Sequence, residues 1–371
     1  MGCCASQVPL IPPPQASPKQ PKTRTIAQTT KSIPMCSLPC GGRVVPGHDR
    51  SPSMVIKHCS WREARLLEQL KRHLGECPTL VCPLPAWSLP SMPPGARPPA
   101  TTPVLLPRYN CDLRTLPVDL FTLRITTSVL ADVAQGLRTL YEKTGHIHGD
   151  VAPSNVCVYG QPRLAPWDGA GNHKSTSTPT GQRSQFVRGV VIDLDCAVYW
   201  LRPSENTFYS SEEPPSRIAF GSLAYHDRDE PMFRPGVADD LEALLYVAAW
   251  CWRGGRLSWD RHANDWHDVA MKMRDPAEAP RRTRQTQRRM KAAMMAIENY
   301  IATMKQQFIR GVHLAKGPTR ARFYEGIEAP HARVLSSMFT AVHALDREDV
   351  KGAMRLCKDM ESQFRSLVLD A

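Results

Sequence analysis

Hydrophobic positions in the first third of the chain come in short runs. Val44-Val45 follows Gly41-Gly42, Met54-Val55-Ile56 ends on Lys57, and Val104-Leu105-Leu106 stands alone. Each run has strand length, and the first two read as strands joined by a turn. Trp61 to Leu70 has helical spacing and composition. From about 121 to 143, Ile125, Val129, Val133, Leu137 and Leu140 fall on one face of a long helix, and Gly145 stops it. Val156-Cys157-Val158 and Gly189-Val190-Val191-Ile192 read as two more strands. Leu241 to Trp252 is apolar nearly all round, which predicts a buried helix with Asp239-Asp240 as its N-cap. From 260 onward the chain reads as helices, with breaks near 275–280 and 310–330. The last two, at about 333–345 and 347–368, are amphipathic, with Leu335, Met338, Phe339 and Val342 as core positions. The pattern is therefore α+β, a small strand-rich part followed by a larger helical one.

Polar stretches divide the pattern. Residues 1–35 are rich in Pro, Ser, Thr, Gln and Lys and predict a disordered tail. Residues 36–113 hold the first strands and helix, interrupted at about 83–107 by nine prolines through which no helix can run. That insertion predicts an exposed, partly polyproline II segment, either a spacer or a partner-binding surface. Residues 114–371 form the helical part, with a Gly-, Pro-, Ser- and Thr-rich loop at about 160–187.

Composition narrows the partners. Hydrophobic residues make up 42% of the chain, and the formal charge is +12. Part of that charge sits in Arg281-Arg282-Thr283-Arg284-Gln285-Thr286-Gln287-Arg288-Arg289-Met290-Lys291, which reads as a solvated helix face or loop. No stacking aromatics interleave with the basic residues, so no nucleic-acid partner is expected. No apolar stretch reaches the length of a membrane-spanning helix. No secretory pattern is present, so an intracellular site is expected, with the 12 cysteines as thiols. Cys36, Cys40 and Cys59 form no CxxC pair, and zinc is not expected. Met1-Gly2-Cys3-Cys4-Ala5-Ser6 matches the pattern for N-myristoylation on Gly2, with Cys3 and Cys4 as neighbouring palmitate candidates. With Lys19, Lys22, Arg24 and Lys31 nearby, this predicts attachment to the anionic, cytoplasmic face of a membrane.

The chemistry centres on His148-Gly149-Asp150-Val151-Ala152-Pro153-Ser154-Asn155, an H-x-D-x4-N octad between the long helix and a strand. This is the form of a phosphotransfer loop, in which the Asp orients an attacking hydroxyl and the Asn holds a metal ion. A second apolar strand delivers Asp193-Leu194-Asp195, where a magnesium ligand would stand. Lys57 ends a strand, and Glu63 or Glu68 on the next helix could face it.

Taken together, these residues resemble the eukaryotic-type protein kinases, closest to the fungal-type family and with likeness to casein kinase 1. Asp240-Leu241-Glu242-Ala243-Leu244-Leu245-Tyr246 resembles the buried-helix motif of those families, and Gly221-Ser222 the substrate-facing loop. The resemblance implies a bilobal fold with a small β-rich N-lobe and a larger helical C-lobe. It also implies ATP and Mg²⁺, and a protein Ser/Thr substrate. Lys57, Gly42 and Val44 would hold the nucleotide, with Glu63 fixing Lys57. Asp193 and Asn155 would hold the metal, and Asp150 would be the base. His148 would support the loop. The chain departs from the pattern at Gly149, where an Arg is usual, and at Ala152, which replaces a Lys. It departs again in its sparse phosphate-loop glycines and in Asp-Leu-Asp where Asp-Phe-Gly is usual. Two other readings stand beside the kinase. One is a pseudokinase acting as a membrane-tethered scaffold; the other is a small-molecule phosphotransferase of the aminoglycoside or choline type.

Overall fold

The computed structural model describes residues 44–46, 54–74, 77–93, 95–109, 111–117, 121–159, 187–200, 218–226, 235–275, 283–314, 327–346 and 349–369. Gly2, Cys3, Cys4 and Gly42, and the expected tail at 1–35, lie outside these residues. So does nearly all of the loop at 160–187.

The fold is mixed, mostly helical with small sheets. β1 (Val44–Pro46), β2 (Met54–Cys59) and β3 (Thr102–Pro107) form an antiparallel sheet in that order. Its register sets Val44 across from Lys57, and Lys57 across from Val104. α1 (Trp61–Leu74) follows β2 directly. Ser60 caps it, its Oγ accepting from the Glu63 amide at 3.2 Å. Ser60-x-x-Glu63 has the spacing of a reciprocal capping box, but the Glu63 carboxylate is used elsewhere. After α1 the chain runs back as a short extended piece: Val81 N donates to Val191 O at 2.9 Å, and Val191 N donates to Thr79 O at 3.0 Å.

The described residues of the proline-rich stretch are exposed between 88 and 101, except for partly covered Leu89 and Met92. Its base is pinned. Trp87 is buried, with Nε1 donating to Pro103 O at 2.9 Å, and Lys71 donates to Pro85 O at 2.9 Å and to Trp87 O. The last six residues of the stretch are strand β3 itself.

α2 (Leu123–Thr144) is the central helix. Thr122 caps its start, and Gly145 ends it with φ 69°. Val129, Val133, Leu137 and Leu140 are fully buried as the periodicity predicts, but so are Leu130, Ala131 and Ala134. The helix is covered on more than one face because α3, α7 and β7 all pack on it. Two glycines permit the closest approaches. A Cβ at Gly136 would lie 2.3 Å from Thr79 O, and one at Gly189 would lie 2.5 Å from Val129 O.

β4 (Cys111–Asp112), β6 (Val156–Tyr159) and β7 (Arg188–Val191) form a second sheet, and β5 (His146–Ile147) pairs with β8 (Val198–Tyr199). α3 (Val237–Trp252) is buried almost throughout. Its N-cap is Gly236 rather than an aspartate. Asp239 sits at the third position and accepts from Gly236 N at 2.7 Å, which leaves Asp240 free to turn inward. α4 (Asp260–Arg274), α5 (Arg284–Leu314), α6 (Ala329–His343) and α7 (Val350–Leu369) complete the chain. Arg284, Arg288, Arg289 and Lys291 occupy exposed positions in the first turns of α5, a solvated helix face as expected. Among the described residues, no helix is long and apolar enough to cross a membrane.

Candidate active site

Three pieces of chain meet at the site. The first is the octad, which follows β5. Asp240 of α3 gathers it: His148 N donates to Oδ2 at 2.6 Å, Gly149 N to Oδ1 at 2.8 Å, and Tyr141 Oη to Oδ2 at 3.0 Å. Two successive amides converge on one carboxylate because Gly149 has φ 71°, in the left-handed region where a side chain is disfavoured. Glycine at this position is therefore required by the loop itself. Burial raises the Asp240 carboxyl above its ordinary range, opposed by His148 and the two amides.

His148 is fully buried. Its Nδ1 lies 3.1 Å from the Asp150 amide, which can only donate, so the ring proton is on Nε2 and is donated to Ile192 O at 2.9 Å. Both ring nitrogens are committed to backbone. The imidazole ties the octad to the residue before Asp193 and has no proton to exchange with a substrate. Asn155 closes the loop, its Nδ2 donating to Asp150 O at 2.9 Å and to Asp150 Oδ2 at 3.0 Å. Its Oδ1 accepts from Ser154 Oγ at 3.4 Å.

The second piece is Asp193, just beyond β7. It is the only non-glycine residue with positive φ among the described residues, at 65°. Aspartate tolerates this conformation better than most residues, and such strain concentrates at functional positions. Its Oδ1 accepts from Lys57 Nζ at 2.7 Å, while its Oδ2 is buried with no hydrogen-bond partner.

The third piece is β2 with α1. Lys57 also donates to Glu63 Oε1 at 2.7 Å, and the same oxygen accepts from Leu194 N at 3.1 Å. Arg62 donates to Ala197 O, so α1 holds the chain after Asp193 at two points, Leu194 and Ala197. Glu68 pairs with Arg72 instead of Lys57, which resolves the choice between the two glutamates. Lys57 is 4% exposed and Glu63 2%. Burial would strip the proton from Lys57, but Glu63 and Asp193 outweigh it and hold the ammonium above its ordinary range. Burial pushes the Glu63 carboxyl up, with Lys57 pulling the other way.

Beside Asp150 lies a small solvent-open cleft lined by Val151, Gly221, Ser222, Tyr225 and Pro235 among others. Ser222 Oγ donates to Asp239 Oδ1 at 2.5 Å, and Leu223 N donates to Glu242 Oε1 at 2.9 Å, so α3 positions this wall as well as the octad. Ala152 is buried and brings no charge to the cleft.

A lysine–glutamate pair, an H-x-D-x4-N loop, and a strand-end aspartate held by the same lysine are the set of groups that kinase-type phosphoryl transfer uses. The family comparison agrees: residues 124–252 match the fungal protein kinase family, a segment that carries Asp150, Asn155, Asp193 and Asp240. That match is to the fungal family and does not extend to the expected likeness to casein kinase 1. No curated protein matches the chain.

Of the expected site residues, Lys57, Glu63, Asp150, Asn155 and Asp193 are brought together, and Val44 stands opposite Lys57 in the sheet. Sequence reasoning missed the roles of Tyr141, Arg62 and Lys305. It assigned Asp240 to a motif without finding its task. For Tyr141 and Arg62 the sequence carries no signal. For Lys305 there is one: a lysine on the apolar stripe Ile301, Ile309, Val312.

Proposed function

We propose that the protein is an ATP-dependent protein kinase that transfers a phosphoryl group to a Ser/Thr hydroxyl, with a bilobal fold whose N-lobe is built on β1–β3 and α1. The observation that carries this is the Lys57–Glu63–Asp193 cluster. One ammonium faces two carboxylates, and an Asp193 oxygen is buried without a partner. A buried, uncompensated negative charge is costly, and a magnesium ion would relieve it with oxygen ligands of the required kind. Asp193 and Asn155 Oδ1 would hold that ion, which supplies charge neutralisation on the phosphates. Lys57 holds the phosphates, and Glu63 keeps Lys57 in place. Asp150, oriented by Asn155, takes the proton of the attacking hydroxyl. The hydroxyl oxygen bonds to the γ-phosphorus as the bond to the bridging oxygen breaks, releasing ADP. Gly221-Ser222 would position the protein substrate.

Ala152 favours a second reading, a pseudokinase scaffold, because it stands where the resemblance places a lysine that would steady a transferred phosphoryl. The small-molecule phosphotransferase is disfavoured by the Asp240 helix. In either protein reading, acylation at Gly2 with Cys3 or Cys4 would tether the chain to an anionic membrane surface, leaving the proline-rich segment available to a partner. Gly2→Ala should then move the protein out of the membrane fraction.

Thermal-shift titration of the full chain with ATP, with and without magnesium, separates the kinase readings. A site intact for nucleotide gains about 2.7 kcal/mol at a hundredfold excess over Kd, and the gain depends on magnesium. No shift under either condition rules out the nucleotide site and leaves the scaffold.

A further inference from the structure

α5 carries one residue that its packing does not call for. Ile301, Ile309 and Val312 form its buried stripe, and Lys305 sits in that stripe with no exposure at all. Leu or Met would fill the position without desolvating a charge. The ammonium has three protons and three acceptors around it. It donates to Ile218 O at 3.1 Å, Gly221 O at 2.5 Å and His226 Nε2 at 3.1 Å. With Lys305 as the ammonium, His226 accepts through Nε2 and carries its proton on Nδ1. The ammonium also lies 4.9 Å from the ring centroid of Tyr246.

All three acceptors belong to one short stretch, 218–226, which contains Gly221-Ser222 and lines the cleft beside Asp150. Within this stretch, Ser222 and Leu223 are held from α3. The carbonyls of Ile218 and Gly221 and the ring of His226 have Lys305 as their common donor. Ala219 O is taken by Trp259 Nε1 at 2.8 Å.

We propose that Lys305 is the positioning residue of the substrate-facing loop, a latch reaching from α5 that fixes the wall against which the phosphoryl acceptor is presented. The latch is read from its donors and acceptors; its consequence for catalysis rests on the kinase reading. Burial pushes the Lys305 ammonium down to about 7, with Glu242 opposing. The other titratable groups of this pocket are His226 on the loop, Tyr246 on α3, and His343 of α6, which reaches Glu242 at 3.4 Å. Lys305 lies outside the segment that matches the kinase family, so the matched segment depends for its own loop on a helix beyond it.

The test is amide hydrogen exchange on the full chain. Lys305→Met keeps the length and apolar stem but removes all three donors. It should speed exchange across 218–226 at least about tenfold while α2 and α3 keep their protection, and Lys305→Arg should restore most of it. With a phosphorylatable peptide, Lys305→Met should raise the peptide KM about tenfold and leave the KM for ATP unchanged. If Lys305→Met does not fold, Lys305→Gln, with two donors, decides by the same exchange criterion. Unchanged exchange at 218–226 in the folded variant overturns the latch. If the wild-type chain phosphorylates nothing, the kinase reading fails, and the exchange result still decides the latch.

Discussion

Asp193 and Asp240 are both buried aspartates at the same site, and they are treated in opposite ways. Asp240 receives three donors, from Tyr141, His148 and Gly149. Asp193 receives one, from Lys57, and its second oxygen is left over. A carboxylate whose acceptor sites are filled by its own chain is a fastening; one left partly empty is a receptor. The same division runs along the octad, where the His148 ring is spent on backbone while the oxygen of the Asn155 amide accepts one long bond, from Ser154 Oγ at 3.4 Å.

The contrast predicts that each aspartate fails in its own way. The largest effect is expected for Asp193→Ala. Phosphoryl transfer should fall roughly a thousandfold, about 4 kcal/mol, while the urea midpoint stays within error of wild type or rises. A marked loss of stability would make Asp193 a fastening after all. Asp240→Ala should do the reverse first. Three donors, two of them buried, lose their acceptor at about 1 kcal/mol each, so chemical denaturation should show about 3 kcal/mol lost. Activity measured on the remaining folded protein should fall because the octad is no longer gathered.

Gly149→Ala tests the backbone side of the fastening. A Cβ at φ 71° costs about 1–2 kcal/mol, and denaturation should show that loss. A neutral outcome would mean the two amides do not need this conformation. The smallest effect concerns Glu242, which holds the cleft wall. Burial alone would raise its carboxyl, but His343, Tyr246 and the Leu223 amide outweigh that and hold it below the ordinary 4.5. Its contribution is thus fully present above that value and is lost as pH falls through the lower, folded one. The stability gap between wild type and Glu242→Gln should therefore shrink on going from pH 7 into the acid range, by under about 1 kcal/mol. A gap that widens in acid reverses the sign of the assignment.

Much of the receptor half was legible in the sequence. Lys57, Glu63, Asp150, Asn155 and Asp193 each sit at the end of an apolar run or in a fixed spacing, and local patterns of that kind survive folding. The fastening half was much less legible. Gly149 reads in the sequence as a missing arginine, whereas in the fold it is the residue that lets two amides turn to one carboxylate. Asp240 reads as a helix cap, but Gly236 and Asp239 take that task. Tyr141 lies 99 residues from Asp240, and Arg62 lies 135 from Ala197. No periodicity records contacts at such separations. Lys305 interrupts an apolar stripe, which marks it as unusual without saying what it holds.

The Lys57–Asp193 bond joins residues 136 positions apart, whereas Glu63 is only 6 away from Lys57. On a ribosome adding about 5–20 residues per second, the glutamate is available almost at once, but the aspartate follows on the order of ten seconds later. During that interval Lys57 has Glu63 to pair with, one charge of each sign, and the surplus carboxylate has yet to be made. The surplus negative charge of the cluster therefore arises with the synthesis of the residues just beyond β7, and not with the strand that carries the lysine.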